Sequence, residues 1–213
     1  MRINVGCGQT PTMGWRNFDN SLTLRLSRLG NLGWWAFRLG LLDANQYEFM
    51  KFARANNIEY GDATKGLPIQ DGAVDVLYSS HMLEHLDRED AGLFLKEAQR
   101  LLAAGGVIRL VVPDIRKLVE QYVLAGDADA FVESTLLWTK SPRTLLNRAY
   151  FLIVGSRNHK WMYDGKSLSQ LLGEHGFVRI KVVQSGETMI ENPAWLDLHE
   201  RVSESVCVEA IKA

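Results

Sequence analysis

The chain has 213 residues, of which 46% are hydrophobic and 23% are charged, and its formal net charge at pH 7 is −1. This length and composition are typical of one globular domain with a sizeable core, and the near-neutral charge argues against a broad nucleic-acid-binding surface, which needs a basic footprint. The two cysteines, Cys7 and Cys207, lie far apart and lack metal-ligand spacing, so we expect no disulfide framework and a reducing, cytoplasmic location. We also expect no secretory leader, because the chain begins with a strand pattern, and no membrane span, because the apolar run at 30–42 is short and interrupted by Arg38.

The first predicted elements are two short strands joined by a glycine-containing turn. Residues 2–6 form an apolar run that leads into Gly6-Cys7-Gly8, and a second short segment ends on Asp19. Glycine lets a ligand approach the backbone because it has no Cβ atom, and a carboxylate at the end of the next strand can accept hydrogen bonds from both hydroxyls of a ribose. The pattern predicts a nucleoside cofactor at the carboxyl edge of a parallel sheet. The connection is so short that its helix, around Thr10 to Gly14, must be brief or degenerate.

The rest of the chain alternates predicted helices with predicted strands. Residues 20–56 have a mostly helical pattern, a third strand ends at residues 60–62, and residues 74–79 form a fourth, buried strand. Asp87 is a candidate N-cap for the next helix, which we expect to end at Gly105-Gly106. The later predicted elements are a fifth strand at 107–112, a helical stretch at 115–158, a helix capped by Asp164 or Ser167 that stops at Gly176, and closing strands at 177–184 and 205–211.

Several segments of this series carry a family resemblance. They are Gly14-Trp15-Arg16-Asn17-Phe18-Asp19, Gly61-Asp62-Ala63, the stretch from Leu67 to Leu86, the stretch from Glu97 to Gly106, and the stretch from Arg109 to Asp114. In order and spacing they resemble the class I S-adenosylmethionine (SAM) methyltransferases, over residues 2–114 and more loosely over 159–211. The resemblance implies an α/β fold with a Rossmann-like, seven-stranded, mostly parallel sheet, an antiparallel C-terminal edge pair and helical insertions. It also implies SAM as the cofactor.

The resemblance also implies a set of cofactor-binding residues. Asn4 and the loop Gly6-Cys7-Gly8 would lie near the methionyl part of SAM, and Asp19 would accept the ribose hydroxyls. Asp62 would accept from the adenine amino group beside the Ala63 amide, and Ser80 and His81 would lie at the rim of the site. The alternatives are a tight turn for the glycines, a helix cap for Asp19 and a turn residue for Asp62. Relatives often have an acidic residue at position 4 and glycine at position 10, where this chain has Asn4 and Thr10.

One motif has a second interpretation as a metal site. His81-Met82-Leu83-Glu84-His85 matches the inverted zinc-protease pattern His-x-x-Glu-His, which needs both histidines on one helical face and a distant third ligand. Here the segment follows a buried strand and resembles the methyltransferase loop Ser-His-x-Leu-Glu-His-Leu. We therefore expect no metal, with Glu84 and His85 orienting the loop or packing.

Methyl transfer to a hydroxyl needs alignment and a general base. His81 and His159 are the candidate catalytic residues, with His159 slightly preferred because its cluster, Asn158 to Asp164, lies on the acceptor side in relatives. The alternative for His159 is an exposed loop histidine without a role. Four tryptophans could line an acceptor pocket, although packing of the inserted helices is the favoured expectation: Trp34, Trp35, Trp138 and Trp161.

These observations predict a single SAM-binding domain over residues 1–213, with helical insertions at about 20–56 and 115–160 that form a cap. The predicted function is SAM-dependent methyl transfer to a small-molecule or glycan-type acceptor, without a nucleic-acid partner. Two alternatives stay open: an enzyme of the same fold with different chemistry, such as aminopropyl transfer, or a non-catalytic SAM-binding module.

Overall fold

A seven-stranded sheet organises the computed structural model of the chain, which describes residues 1–27, 32–40, 42–138 and 158–213. The order across the sheet is β3-β2-β1-β4-β5-β7-β6, and only β7 runs antiparallel to its neighbours. This arrangement confirms the predicted Rossmann-like sheet and its antiparallel edge pair. The strands are β1 (Arg2–Val5), β2 (Arg16–Asp19), β3 (Glu59–Tyr60), β4 (Val74–Ser80), β5 (Leu102–Pro113), β6 (Phe177–Val183) and β7 (Ser205–Lys212).

The described helices lie between these strands. They are α1 (Leu22–Ser27), α2 (Leu32–Arg38), α3 (Ala44–Ala55), α4 (Arg88–Leu101), α5 (Ile115–Ala125), α6 (Ala128–Thr135) and α7 (Gly165–Glu174), with a 3₁₀ turn at Leu83–His85. The predicted caps are confirmed: Asp87 accepts a hydrogen bond from the Asp90 amide, and Asp164 forms a capping box with Ser167. No helix in the described ranges is long and apolar enough to cross a membrane.

The hydrophobic core lies against the central strands. Phe94, Leu95 and Leu101 of α4 are fully buried and pack in one cluster with Ile108 and Leu110 of β5. Burial on both faces explains the apolar sequence of the central strands. Because β1, β2 and β4 run parallel, the residues that follow them meet at one edge of the sheet, where open α/β sheets bind ligands.

The connection between β1 and β2, all of which is described, contains no helix, so the predicted helix around Thr10 to Gly14 is degenerate rather than brief. Side chains hold this segment in an irregular loop instead. The Asn4 amide donates to Thr10 O and to Thr12 Oγ1, at 3.1 Å each, and Asn17 Oδ1 accepts from the Thr12 amide at 2.8 Å. Asparagine side chains that bond to nearby backbone favour such loops over helix.

Two boundaries also differ from the sequence prediction. Helix α4 ends at Leu101 rather than at Gly105-Gly106, because Leu102 is already extended, with φ −67° and ψ 139°, and bridges to Val74. The third strand is only Glu59–Tyr60, and Asp62 lies beyond it in an isolated bridge to Gly66. Short elements of this kind are set by pairing partners that are distant in sequence.

Both predicted insertions contain helices. Helices α1 to α3 lie within residues 20–56, and α5 and α6 lie within residues 115–135. The part of the second insertion at 139–157, together with 28–31 and 41, lies outside the described residues.

Candidate cofactor site and active site

The glycine loop after β1 is tied to β2 by its own amides. The Gly6 and Cys7 amides both donate to Phe18 O, at 2.8 and 3.1 Å, and the Gly8 amide donates to Asp19 Oδ2 at 3.1 Å. The sequence prediction placed the amides of Gly6 and Gly8 near the methionyl part of a cofactor, whereas here they hold two strand ends together. The loop still has an open side, because a Cβ atom added at Gly8 would meet no atom within 4 Å.

Gly6 has a packing requirement of its own. Its φ is +73°, and an added Cβ would lie 2.4 Å from Met82 Cγ. The absence of a side chain at Gly6 therefore lets the segment after β4 pack directly on the glycine loop. Asn4 is 2% exposed and bonds within this loop, so it shapes the loop rather than facing solvent.

Asp19 lies at the end of β2 and bonds to two backbone amides. Oδ1 accepts from Ser21 at 2.8 Å and Oδ2 accepts from Gly8 at 3.1 Å. These bonds occupy one lone pair on each oxygen, and a carboxylate can accept about four hydrogen bonds in all. Asp19 is therefore preorganised, with one acceptor site left on each oxygen.

Asp62 is bonded within its own turn. Oδ1 accepts from the Thr64 amide at 3.1 Å and from Thr64 Oγ1 at 2.7 Å, and Oδ2 pairs with Lys65 Nζ at 2.8 Å. Although burial opposes ionisation, the hydrogen bonds from Lys65 and Thr64 hold the pKa of Asp62 below its usual value. Ala63, beside it, is 7% exposed. The hydrogen bonds of Asp62 in this structure are therefore those of a turn residue.

Cys7 is suited to packing rather than to chemistry. Burial, together with the charge of Asp19, raises the pKa of the Cys7 thiol to about 12. The thiol therefore stays protonated at neutral pH and is not a nucleophile.

Ser80 and His81 follow at the end of β4. Ser80 Oγ is buried and has no hydrogen-bond partner among the described residues. His81 has the left-handed φ of +50°, which is uncommon outside glycine, and its Nε2 lies 2.8 Å from Ser205 Oγ. Its side chain is 14% exposed. An uncommon backbone conformation at a strand end is a frequent feature of functional sites.

The strand-end residues fit a polar nucleoside cofactor. Asp19 has free acceptor sites, Gly8 has an open Cα face, and the Ser80 hydroxyl has no hydrogen-bond partner within the described ranges. Asp19 and Ser80 are the last residues of β2 and β4, Gly8 follows β1, and these three strands are neighbours in the sheet. Hydroxyl, amine and carboxylate groups of a ligand such as SAM would meet complementary groups there.

A cluster of one buried carboxylate and three histidines lies beside this edge. Glu84 is 1% exposed, and its Oε1 lies 3.3 Å from His81 Nδ1 and 4.0 Å from Nε2 of both His85 and His159. The sequence analysis grouped His81, Glu84 and His85 but left His159 apart. The signal for the complete cluster was the His-x-x-Glu-His motif followed by one further histidine in a polar loop.

His159 is buried rather than exposed, so the exposed-loop alternative is wrong. It is 7% exposed, and its Nδ1 lies 2.8 Å from Thr135 O. Burial lowers the pKa of His159 below the usual value, and the charge of Glu84 only partly offsets this effect. His159 is therefore a neutral imidazole at pH 7.

The four tryptophans that we expected to be packed among the inserted helices are largely exposed. Their exposed fractions are 43%, 55%, 60% and 45% for Trp34, Trp35, Trp138 and Trp161. Large exposed aromatic side chains of this kind often mark binding surfaces. Trp161 lies two residues after His159, and the Arg88 guanidinium lies over its ring at 5.3 Å.

The chain is similar to known proteins in both sequence and fold. A family model described as a methyltransferase domain matches residues 41–110. No curated protein sequence matches the chain. Among solved structures, a SAM-dependent methyltransferase of Thermotoga maritima, described as a possible histamine N-methyltransferase, is 17% identical with a TM-score of 0.52, over 99% of this chain and 81% of that one. A SAM-dependent methyltransferase of Archaeoglobus fulgidus is 15% identical with a TM-score of 0.52, over 99% and 85%.

A third structure has the same fold. It is a SAM-dependent methyltransferase of Methanosarcina mazei that is 16% identical, with a TM-score of 0.51 over 99% of this chain and 91% of that one. At these identities the structures establish the fold, and the family model adds the sequence match. The chain is therefore similar to SAM-dependent methyltransferases in fold over its whole length, and to a methyltransferase domain in sequence over residues 41–110.

Proposed function

We propose that this chain is a class I SAM-dependent methyltransferase, with SAM as its cofactor, and that it transfers a methyl group from SAM to a hydroxyl of a small-molecule or glycan-type acceptor. The observation that carries the proposal is that Gly8, Asp19 and His81 lie at the carboxyl ends of β1, β2 and β4, which are parallel neighbours and so share one edge of the sheet. Four tryptophans are also exposed. A net charge of −1 gives no support to a nucleic-acid acceptor. Flat aromatic rings such as Trp161 suit contact with the apolar face of a sugar ring.

The cofactor residues in this proposal follow the strand ends. Asp19 accepts the ribose hydroxyls through its two remaining acceptor sites, and Asp62 with Ala63 lies at the adenine end. Gly6, Cys7 and Gly8 form the wall at the methionyl end, with Asn4 acting through the shape of the loop. The Ser80 hydroxyl and His81 complete the rim next to them.

When bound, SAM supplies an activated methyl group on its sulfonium. The protein then has to align the acceptor and take its proton. Between the two candidate bases, the geometry favours His81 over His159, which reverses the order preferred from the sequence. Nε2 of His159 faces Glu84 from a side chain that is only 7% exposed, whereas His81 lies at the strand end and is 14% exposed.

The helical insertions at about 20–56 and 115–160 form the cap in this proposal. A cap excludes water from the reacting groups, which strengthens the electrostatic interactions between them. We also propose a cytoplasmic location, with which the two free cysteines, Cys7 and Cys207, are consistent.

The test measures binding and turnover separately. Calorimetry should show binding of SAM and of its demethylated product, with weaker binding of decarboxylated SAM, and radiolabelled SAM should deliver its methyl group to an acceptor from a library of hydroxylated metabolites and glycans. Preference for decarboxylated SAM would indicate aminopropyl transfer instead. Methylation of amines or thiols alone would retain the enzyme class and reject the hydroxyl acceptor.

A further inference from the structure

The cluster around Glu84 has a chemistry that the methyl-transfer proposal does not use. Glu84, His85 and His159 each offer one possible metal-ligand atom, and these three atoms lie within 4.8 Å of one another. Neither carboxylate oxygen of Glu84 has a hydrogen-bond partner among the described residues, although the side chain is 1% exposed. A buried carboxylate without such a partner is costly unless a cation or another charge satisfies it.

The hydrogen bonds of the two rings fix which nitrogen faces Glu84. His85 Nδ1 lies 3.1 Å from Asn158 O, and His159 Nδ1 lies 2.8 Å from Thr135 O. A carbonyl oxygen only accepts, so each Nδ1 carries the proton. Where Nε2 of either ring carries no proton, its lone pair points towards Glu84 Oε1, at 4.0 Å.

Two imidazole lone pairs then face the Glu84 carboxylate, whose Oε1 also lies 3.3 Å from His81 Nδ1. The two lone pairs and the carboxylate repel one another, and a metal ion between them would make the arrangement attractive. Histidines that bind metals characteristically donate their other ring N–H to a backbone carbonyl or a carboxylate, as both rings do here. Two imidazole nitrogens and one carboxylate oxygen are also the protein ligands of several catalytic zinc sites.

Backbone hydrogen bonds hold the three ligands in place from separate segments. The carbonyl of Glu84 accepts from the Lys160 and Trp161 amides at 2.7 and 3.2 Å, and the His159 amide donates to Leu136 O at 3.1 Å. The bonds from Lys160 and Trp161 join the 3₁₀ turn to the segment that carries His159. They thereby bring His159 next to Glu84 and His85, whereas His81 of the motif is not part of the group.

We propose that Glu84, His85 and His159 form a binding site for a divalent transition-metal ion such as Zn²⁺. A tetrahedral zinc ion with bonds of about 2.0–2.1 Å separates its ligand atoms by about 3.4 Å. Closing the site would therefore shorten the two 4.0 Å distances to Glu84 Oε1 by about 0.6 Å each, and the remaining distance, which is at most 4.8 Å, by up to about 1.4 Å. His85, at 36% side-chain exposure, leaves one side open for a fourth ligand. That position could bind an acceptor oxygen, a role that rests on the proposed function, whereas the binding of the metal does not.

The test uses the full chain without an added histidine tag, stripped with a chelator and titrated with Co²⁺ as a coloured probe for the zinc position. We expect one ion per chain, a visible absorption band typical of nitrogen and oxygen ligands, and displacement by Zn²⁺. His85→Gln, His159→Gln and Glu84→Gln should each weaken Co²⁺ binding at least tenfold. The control is His175→Gln, because His175 also bonds a backbone carbonyl, that of Leu171, but lies outside the cluster.

Two results would overturn the proposal: no stoichiometric Co²⁺ or Zn²⁺ binding by the native chain, or unchanged affinity in both His85→Gln and His159→Gln. If Glu84→Gln fails to fold, the half-exposed His85→Gln still decides the question, with folding checked by circular dichroism. SAM binding is measured separately by calorimetry. A failure of the metal site is thereby distinguished from a failure of methyl transfer.

Discussion

The Asp19 carboxylate accepts a hydrogen bond from the Gly8 amide at 3.1 Å and so joins the ends of β1 and β2. The same group accepts from the Ser21 amide at 2.8 Å. A single side chain therefore fixes the glycine loop and still offers acceptor sites to a ligand. Its removal should affect both the loop and the cofactor.

For Asp19→Ala we expect SAM affinity to fall by about ten- to a hundredfold, equivalent to about 1–3 kcal/mol, because the ribose hydroxyls and the Gly8 amide lose their acceptor. Calorimetry with SAM measures the change. Asp127→Ala is a matched control, because Asp127 caps α6 through the Ala130 amide and carries no predicted cofactor contact. Equal affinities in native protein and Asp19→Ala would remove Asp19 from the site.

Alanine substitutions at Gly6 and Gly8 distinguish the cost of a steric clash from the cost of backbone strain. Both have positive φ, so alanine at either position carries the left-handed penalty of about 1–2 kcal/mol. Only Gly6→Ala also drives a Cβ into Met82, which should add about 1–3 kcal/mol to the loss of unfolding free energy. Urea denaturation of the two variants measures the difference. Met82→Ala in the Gly6→Ala background should recover part of it, and similar destabilisation of both single variants would contradict the packing explanation.

The positions of the strand ends could be predicted from the sequence, whereas the hydrogen bonds that form at those ends could not. Local pattern identified Asp19, Asp87 and Asp164, because strand ends and caps depend on neighbouring residues. It could not show that Phe18 O would engage the Gly6 and Cys7 amides, since that bond depends on the pairing of β1 with β2.

The histidines of the cluster around Glu84 also differ in how far the sequence predicts their positions. His81 and His85 share a local motif that is readable from sequence, but His159 reaches Glu84 only through backbone bonds formed across the fold. The exposure of Trp35 and Trp138 likewise depends on tertiary packing, which composition does not reveal.

Glu97 connects α4 to the turn that carries Asp62. Its carboxylate accepts from the Leu67 amide at 2.7 Å and from two nitrogens of Arg100 at 2.8 and 2.7 Å. Although burial opposes ionisation, the bonds from Arg100 and Leu67 hold the pKa of Glu97 below its usual value. For Glu97→Gln we expect a loss of about 1–3 kcal/mol at pH 7, because charge-assisted bonds become neutral ones.

The sign of the pH dependence follows from that lowered pKa. Between the folded and the unfolded pKa of Glu97, the unfolded chain binds more protons than the folded chain. The stabilisation by the Glu97 carboxylate is therefore complete above the unfolded pKa of about 4.3, and it disappears as pH falls through the folded pKa. The stability gap between native protein and Glu97→Gln should therefore be constant from pH 7 down to about 5 and narrow below it. Urea denaturation at each pH tests this, and a gap that widens in acid would contradict the assignment.

Ligand binding should protect the helical insertions if they form a cap. We expect amide hydrogen exchange in α1, α3, α5 and α6 to slow when SAM or its demethylated product binds, because ordering of a cap reduces local opening. Helix α7 is an internal reference, since it packs on β6 and β7 and belongs to neither insertion. Identical exchange in all four helices with and without ligand would reject the cap.

The choice of base can be tested on the two candidate histidines. With a hydroxyl acceptor, His81→Gln should lower turnover by about 10²–10⁴, the usual contribution of a general base. SAM affinity should change far less, because His81 contributes only to the rim of the cofactor site. The His81 ring also bonds Ser205 Oγ, so Ser205→Ala is the matched variant: it removes the orienting bond, retains the imidazole and should lower turnover by a smaller factor. Full turnover in His81→Gln would mean that another group takes the proton, or that the acceptor is an amine or thiolate that needs no base from the protein. Single-turnover assays with hydroxyl and amine acceptors would separate these two cases.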